Sequence, residues 1–185
     1  TRNRTSEEIS NAIESLAADF SVEVKQDYIS LKGGCLKNDF MEFSDIFWDI
    51  LLNPSFPEDE FSKEKDLQLK AIHTQENNRF QYAKDKALEK LFEGTPYAIQ
   101  PIGTEETVSN ITPDDVQAWY SSMLIRENLI FVIAGDLQTD EALQELASRL
   151  AFIPKGNKTP VPAISVQKPS KSERLIFKRE MEQSN

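Results

Sequence analysis

The chain has 185 residues, a net charge of -10 and 39% hydrophobic residues, which together predict one acidic domain with enough apolar side chains for a core. The acidic excess argues against binding to nucleic acid or to an anionic membrane surface, and no apolar run approaches the ~18 residues of a transmembrane helix. A single cysteine, Cys35, rules out an internal disulfide; this fits a reducing compartment but leaves the localisation open.

The first predicted element is an amphipathic helix in the segment TSEEISNAIESLAADF. Its apolar residues fall at helical spacing from Ile9 to Phe20, so that one face of the helix is hydrophobic. Thr5 and Glu8 have the spacing of a capping box, in which each residue satisfies an unpaired backbone donor of the first turn. We therefore expect the helix to begin directly after Thr5.

The next segment, SVEVKQDYISLKGGCL, alternates between apolar and polar residues. This period of two predicts a β-hairpin over residues 21–36. Adjacent glycines, Gly33 and Gly34, are typical of a β-bulge in such a strand. Cys35 follows them and is predicted to be a small core residue, not a nucleophile.

Three helices are predicted between the hairpin and residue 92. The first begins near Asp39, has aromatic and aliphatic residues at helical spacing, and stops before Pro54. Pro57 opens the second, because a proline in the first turn costs no hydrogen bond, and this long helix reaches about Asn77. The third covers residues 80–92 and ends at a Gly-Thr-Pro sequence.

The remaining elements alternate between helix and strand. Thr112 and Pro113 are typical of a helix start. Residues 129–134 are predicted to form a buried strand. The segment TDEALQELASRLAFI is predicted to form another amphipathic helix. A proline-rich connector at 154–171 precedes a last strand at 174–178. This order predicts an α+β fold, in which helices pack on one face of a largely antiparallel sheet.

The residues by themselves contain no complete catalytic or metal-binding motif. No CxxC or HxxxH pair provides metal-ligand spacing, and no glycine-rich phosphate loop is present. His73, the only histidine, is interpreted as an exposed helical residue, and Glu60 and Glu64 as a solvated acidic face of the same helix. The residues by themselves therefore predict an acidic α+β domain and indicate neither a catalytic activity nor a bound metal.

The order of several motifs resembles the amino-terminal half-domain of the pitrilysin/insulinase (M16) metallopeptidases over residues 1–153. The motifs are NPSFPEDEF, PYAIQPIGTEETVSNITPDDVQAWY and NLIFVIAGDL. The family includes mitochondrial processing peptidase subunits and the core proteins of the cytochrome bc1 complex. The resemblance implies an M16 peptidase/LuxS-like half-domain that is truncated at its amino-terminal end. A connector at 154–171 and a final strand within 172–185 would lead to a second homologous half outside this chain.

In active members, the resemblance implies a zinc ion held by two histidines of an HxxEH helix and by a glutamate from the long helix after NPSFPEDEF. A further glutamate lies seven positions earlier, outside the ligand set. Carried onto this sequence, the earlier glutamate falls on Glu64 and the third ligand on Ala71, whose methyl group cannot bind zinc. His73 cannot replace it because it lies about 200° around the helix, and Glu76 is more than a turn further along. The HxxEH helix would precede Thr1, so no catalytic residue, cofactor-binding residue or metal ligand is predicted here.

The resemblance leaves three functions open. The leading hypothesis is a non-catalytic half or subunit that pairs with a homologous M16 half or subunit, as a homo- or heterodimer, and encloses peptide substrates. The second is a truncated, active zinc-dependent endopeptidase whose HxxEH motif precedes residue 1. The third is a structural or binding subunit of a complex. Zinc is expected only in active relatives, this chain alone is predicted to be inactive, and neither nucleic acid nor a membrane is an expected partner.

Overall fold

The computed structural model of the protein describes residues 1–158 and positions 160, 164, 172, 174 and 176. Within these residues the chain forms seven α-helices and one two-stranded antiparallel sheet. The elements are α1 Ser6–Ser15, β1 Asp19–Val24, β2 Ile29–Gly34, α2 Phe40–Leu52, α3 Glu58–Asn77, α4 Arg79–Leu91, α5 Glu105–Asn110, α6 Pro113–Met123 and α7 Thr139–Leu150. The predicted α+β class is therefore confirmed. Of the helices described, none is both long and apolar enough to cross a membrane.

The chain divides into two compact units. The first contains Thr1–Ser62 and Ile111–Pro160, and the described part of the second is essentially Lys63–Asn110. The first unit holds the hairpin and most of the buried side chains, whereas the second has Ile72 and Val108 as its buried apolar residues among those described.

Helix α1 begins with the predicted capping box. Thr5 Oγ1 accepts a hydrogen bond from Glu8 N at 3.2 Å, and the Glu8 carboxylate accepts one from Thr5 N at 2.7 Å. The helix ends at Ser15, earlier than its apolar spacing predicts, because Ala17 adopts a left-handed backbone with φ 46°. Phe20 therefore belongs to β1 and not to the helix.

Replacing Thr5 with alanine is expected to lower the free energy of unfolding by ~1 kcal/mol, because a backbone donor in the first turn of α1 loses its acceptor. Urea denaturation measures the change. Thr5→Ser keeps the hydroxyl and should behave like the unmodified chain. Ser10→Ala removes an exposed hydroxyl within the same helix; an equal loss in that variant would contradict a capping role for Thr5.

The hairpin forms with a regular register from its open end to its turn. Val22 lies opposite Leu31, and Phe20 lies opposite Gly33. The bulge predicted at Gly33 and Gly34 is therefore wrong. Gly33 has a packing role instead, because a Cβ atom at this position would overlap the ring of Phe43.

Gly33→Ala is accordingly expected to destabilise the chain by roughly 1–3 kcal/mol, the usual cost of forcing an extra methyl group into a packed core. The matched control is Gly135→Ala, because no described atom lies within 4 Å of the position that its Cβ would occupy. Thermal unfolding of both variants provides the comparison. If the two substitutions cost the same, the ring of Phe43 does not constrain residue 33.

Helix α2 organises the core of the first unit through two adjacent faces. Phe43 and Ile46 point into one cluster with Leu16, where Cys35 is one of the partly buried neighbours. Burial raises the pKa of the Cys35 thiol, as expected for a small core residue. The second cluster is centred on three buried residues: Trp48, Leu51 and Ile153.

The strand predicted at residues 129–134 is not found. Leu129 and Phe131 pack against the second cluster, whereas Ile130 is 91% exposed and Val132 is 85% exposed. Burial thus alternates over residues 129–132 only, since Ile133 is also exposed, at 44%, and the segment has no partner strand among the described residues. The strand predicted at 174–178 falls largely outside the residues that the structure describes.

Candidate functional site

The candidate site lies on helix α3, which carries the two positions to which the resemblance assigns zinc chemistry. Glu64 and Ala71 are seven residues apart, which corresponds to nearly two turns and about 10 Å along the helix axis, so both face the same side. Both residues are exposed, and Leu67 between them is 56% exposed. Within the described part of the chain, no hydrogen bond or ion pair engages the Glu64 side chain. This face of α3 is therefore open to solvent.

A neighbouring face of α3 is covered by α5 and by the segment that precedes it. The Lys65 ammonium donates a hydrogen bond to the carbonyl oxygen of Ser109 at 2.6 Å, and the Gln68 amide donates one to that of Ile102 at 2.8 Å. Ile72, which follows on the same face, is 3% exposed. These contacts fix the rotation of α3 within the second unit and leave the Glu64–Ala71 side uncovered.

The GTEETVSN motif folds into a turn and the short helix α5, which lie against the face of α3 that contains Lys65, Gln68 and Ile72. Gly103 has φ 80° and starts the turn, a left-handed conformation that disfavours side chains with a Cβ atom. Thr104 Oγ1 accepts a hydrogen bond from Thr107 N at 3.2 Å. Val108, in α5, is 4% exposed. This part of a motif that supports the resemblance therefore has a packing role here.

His73 lies beside an acidic residue and not beside Ala71. Its Nε2 atom is 3.8 Å from Glu105 Oε2, and both side chains are more than half exposed. The 200° rotation expected between positions 71 and 73 agrees with this placement. The structure therefore does not bring His73 to the Glu64–Ala71 face.

The residues present on α3 do not fit a zinc ion. Ala71 has no donor atom, Glu64 alone is one carboxylate, and a zinc site in a protein requires at least three side-chain ligands. Among the residues that the structure describes, no group of three or more His, Cys, Asp or Glu side chains could hold a metal ion.

Sequence patterns did not indicate a cavity of about 620 Å³ in the first unit. Its lining includes Phe56, Tyr120 and Arg149. The Tyr120 hydroxyl donates a hydrogen bond to the carbonyl oxygen of Leu51 at 2.6 Å, and burial raises its pKa to about 12. Arg149 is held by Glu145 at 2.8 Å and by a second carboxylate on α2. The Tyr120 hydroxyl and the Arg149 guanidinium are thus already engaged within the protein.

Asp49 is a second feature that periodicity did not reveal. This 6% exposed carboxylate on α2 accepts hydrogen bonds from Thr1, Asn3, Arg4 and Asn53 at 2.5–2.9 Å. Burial by itself would raise the pKa of Asp49, but the four hydrogen bonds outweigh it and lower the pKa to about 2. The sequence signal was an acidic residue inside an otherwise apolar helical run.

Two family profiles match this sequence. The profile of Insulinase (Peptidase family M16) matches residues 1–105, and that of Peptidase M16 inactive domain matches residues 110–185. The chain belongs to the M16 peptidase family. The fold class and the motif order predicted from the sequence are therefore confirmed at the level of the family.

Individual relatives of this M16 chain are distant. It is 29% identical over 130 residues to the non-peptidase homolog YmxG of Helicobacter pylori, covering 70% of this chain and 30% of that protein. It is 22% identical to an uncharacterized zinc protease of Rickettsia bellii, covering 86% of this chain and 39% of the relative. The M16 chain thus spans only 30% and 39% of the length of these two relatives.

A solved structure supports the fold. The crystal structure of a peptidase M16 inactive domain from Pseudomonas fluorescens aligns with a TM-score of 0.78 at 22% identity. The alignment covers 90% of this chain and 40% of the solved chain. At this identity the likeness establishes the shared fold and not a shared activity.

Proposed function

We propose that this M16 chain is part of a non-catalytic half or subunit, which pairs with a homologous, zinc-bearing M16 partner to enclose peptide substrates. The observation that carries the proposal is the methyl group of Ala71 on the open face of α3. Position 71 lies seven residues after Glu64, and active relatives would supply a carboxylate at this position. Without that carboxylate, a pair of histidines from elsewhere would hold zinc only weakly, because three protein ligands are the usual minimum.

Both the names of the relatives and their length support the proposal. The Helicobacter pylori relative is named as a non-peptidase homolog, and the profile that matches residues 110–185 describes an inactive domain. These two relatives are also a little more than twice as long as this chain, which leaves room for a second half in the same polypeptide. An M16 chamber needs two such halves, so a half without zinc would contribute walls and substrate contacts.

The test is metal analysis after dialysis, combined with cleavage of a fluorogenic peptide. The 185-residue chain should retain no stoichiometric zinc and should not cleave the peptide, and Ala71→Glu should change neither result in this chain. In a longer protein that also contains an HxxEH helix, Ala71→Glu should raise the zinc affinity at least about 10-fold, because it adds the missing carboxylate. Ala83→Glu, at another exposed helical alanine, is the matched control.

The same experiment distinguishes the second candidate function. The Rickettsia bellii relative is named as a zinc protease, which favours an active endopeptidase as the alternative. Tight zinc binding and EDTA-sensitive cleavage by the unmodified longer protein would establish that alternative and overturn the non-catalytic proposal. An equal gain in zinc affinity from Ala83→Glu would contradict the role assigned to position 71.

A further inference from the structure

We propose that the cavity of about 620 Å³ in the first unit binds the carboxy-terminal end of a peptide whose last residue is apolar. The side chain of that residue would occupy the cavity, and its free α-carboxylate would bind the guanidinium of Arg2. This inference requires neither zinc nor a paired subunit. It can therefore fail while the proposed function stands, and the proposed function can fail while it stands.

The size and the lining of the cavity are those of a ligand site. More than half of its lining residues are apolar or aromatic, among them Leu52, Phe56 and Phe152. Protein sites for small ligands have this composition, with a few polar groups that fix the orientation of the ligand, and volumes of about 300–1,000 Å³. The cavity is thus large enough for the last residue of a peptide. Phe152 is 76% exposed, so a ligand would cover an aromatic ring that now faces solvent.

The two rings of Phe56 and Tyr120 are held in place within the wall. The Tyr120 hydroxyl donates a hydrogen bond to the carbonyl oxygen of Leu51 at 2.6 Å. Its ring meets that of Phe56 edge-on, with the centroids 5.6 Å apart. Phe56 has φ 45°, a conformation that is rare for a bulky side chain. Backbone strain of this kind clusters at active sites and ligand clamps, and here it turns an aromatic residue into the cavity wall.

The segment that contributes Phe152 and Pro154 to the wall is fixed by Arg126. The backbone amide of Arg126 donates a hydrogen bond to the Pro154 carbonyl at 3.1 Å. Its guanidinium donates to the carbonyl oxygens of Ile153 at 2.7 Å and Ala151 at 3.0 Å. Ile153 is fully buried and anchors the segment in the second cluster. The wall is therefore ordered before a ligand binds, which lowers the entropic cost of binding.

Positive charge lines the cavity, although the chain as a whole has a net charge of -10. Both Arg2 and Arg149 contribute to the wall. Arg149 bonds to Glu145 and to Asp45, so its charge is largely compensated. Arg2 is exposed, and its backbone amide donates a hydrogen bond to the Asn53 carbonyl at 2.8 Å, which fixes its position. Arg2 is therefore the group that selects the charge of the ligand.

The chemistry of the ligand follows from these two parts of the wall. A guanidinium binds a carboxylate through two parallel hydrogen bonds, and the single charge of Arg2 matches that of one carboxylate. The apolar lining requires an apolar group directly beside this carboxylate. The last residue of a peptide carries both on the same Cα atom. A peptide end with an aromatic or aliphatic last residue is therefore the ligand that fits the cavity.

The test is a titration of the complete 185-residue chain with acetyl-Ala-Leu-Phe, as the free acid and as the carboxy-terminal amide, followed by amide chemical shifts. We expect saturable binding of the free acid at millimolar concentration. The amide should bind at least about 10-fold more weakly, because it lacks the charged hydrogen bonds to Arg2. Arg2→Gln should abolish this difference between the peptides. Lys25→Gln is the control for net charge, because Lys25 is not among the residues of the cavity wall, and should preserve it.

A second pair of variants tests the apolar part of the site. Phe152→Ala should weaken the binding of both peptides by roughly 3-fold or more, because an aromatic contact is lost. The ring of Phe152 is 76% exposed, so its removal should leave the fold intact. Phe80→Ala is the matched control, since Phe80 is 80% exposed and is not part of the wall. It should leave the affinity for both peptides unchanged.

Four outcomes would overturn the proposal. Equal affinity for the free acid and the amide would contradict recognition of a carboxylate. Equally tight binding of acetyl-Asp-Leu-Phe-amide would identify a side-chain carboxylate, and not a peptide end, as the ligand group. Affinities unchanged by both Arg2→Gln and Phe152→Ala would place the binding site outside this cavity. Unchanged chemical shifts with either peptide at millimolar concentration would exclude the site.

Discussion

Replacing Trp48 with alanine is expected to lower the free energy of unfolding by about 3–5 kcal/mol, the range for removing a large aromatic side chain from a packed core. Trp48 is 5% exposed and is one of the buried residues at the centre of the second cluster. Its ring meets Phe131 at a centroid distance of 5.0 Å and Phe47 edge-on at 6.2 Å. The vacated volume would be lined by side chains from α2, α7 and residues 129–131, which cannot all collapse into it.

Trp119→Ala provides a matched control for the Trp48 prediction. Trp119 is 51% exposed on α6, so its removal should cost much less, on the order of 1 kcal/mol or below. Urea denaturation followed by far-ultraviolet circular dichroism suits both variants, because it does not depend on tryptophan fluorescence. A loss for Trp119→Ala as large as that for Trp48→Ala would mean that the second cluster is not the main core of the first unit.

Asp49→Ala is expected to destabilise the chain by about 2–3 kcal/mol, because hydrogen bonds to a buried charged group are worth more than neutral ones. The substitution removes the common acceptor of Thr1, Asn3, Arg4 and Asn53. Asp45→Ala is the control on the same helix, since Asp45 is 56% exposed and pairs with Arg149 at the surface. Exposed pairs contribute little, and a larger loss for Asp45→Ala would contradict this assignment.

The same carboxylate predicts how stability depends on pH. Asp49 has a pKa of about 2 in the folded chain and about 3.9 when unfolded. Its contribution is therefore fully present above about pH 5 and is lost as the pH falls through 4 towards 2, by roughly 2–3 kcal/mol in total. Asp49→Asn removes this titration, so its urea midpoint should fall less between pH 6 and pH 3 than that of the unmodified chain. If the urea midpoints of Asp49→Asn and of the unmodified chain fall equally between pH 6 and pH 3, Asp49 does not account for the loss of stability in acid.

The sequence predicted the features that depend on neighbouring residues. Thr5 with Glu8 caps α1 as expected, and Thr112 caps α6 through a bond from Asp115 N at 3.2 Å. The period of two identified the hairpin, and Pro57 marked the start of α3. The family resemblance assigned a potential site to Glu64 and Ala71, and helix geometry places residues seven positions apart on the same face of α3.

What the missing ligand at Ala71 means for activity remains a prediction from the family resemblance. A metal site is completed by side chains from other segments, and the spacing of residues within one helix cannot specify them. The resemblance therefore assigns one face of a candidate site to α3, and the spacing within that helix does not identify the other ligands.

Interactions between residues that are distant in the sequence were visible only in the tertiary structure. Gly33 was predicted to bulge, but its lack of a side chain instead makes room for Phe43. Asp49 meets Thr1 across 48 positions, a contact that no local pattern encodes. Residues 129–134 have the composition of a buried strand, yet Ile130 and Val132 are exposed. The physical reason is that helix caps and periodicity are satisfied within a few residues, whereas a strand or a buried carboxylate is stable only when distant groups supply its hydrogen bonds and cover.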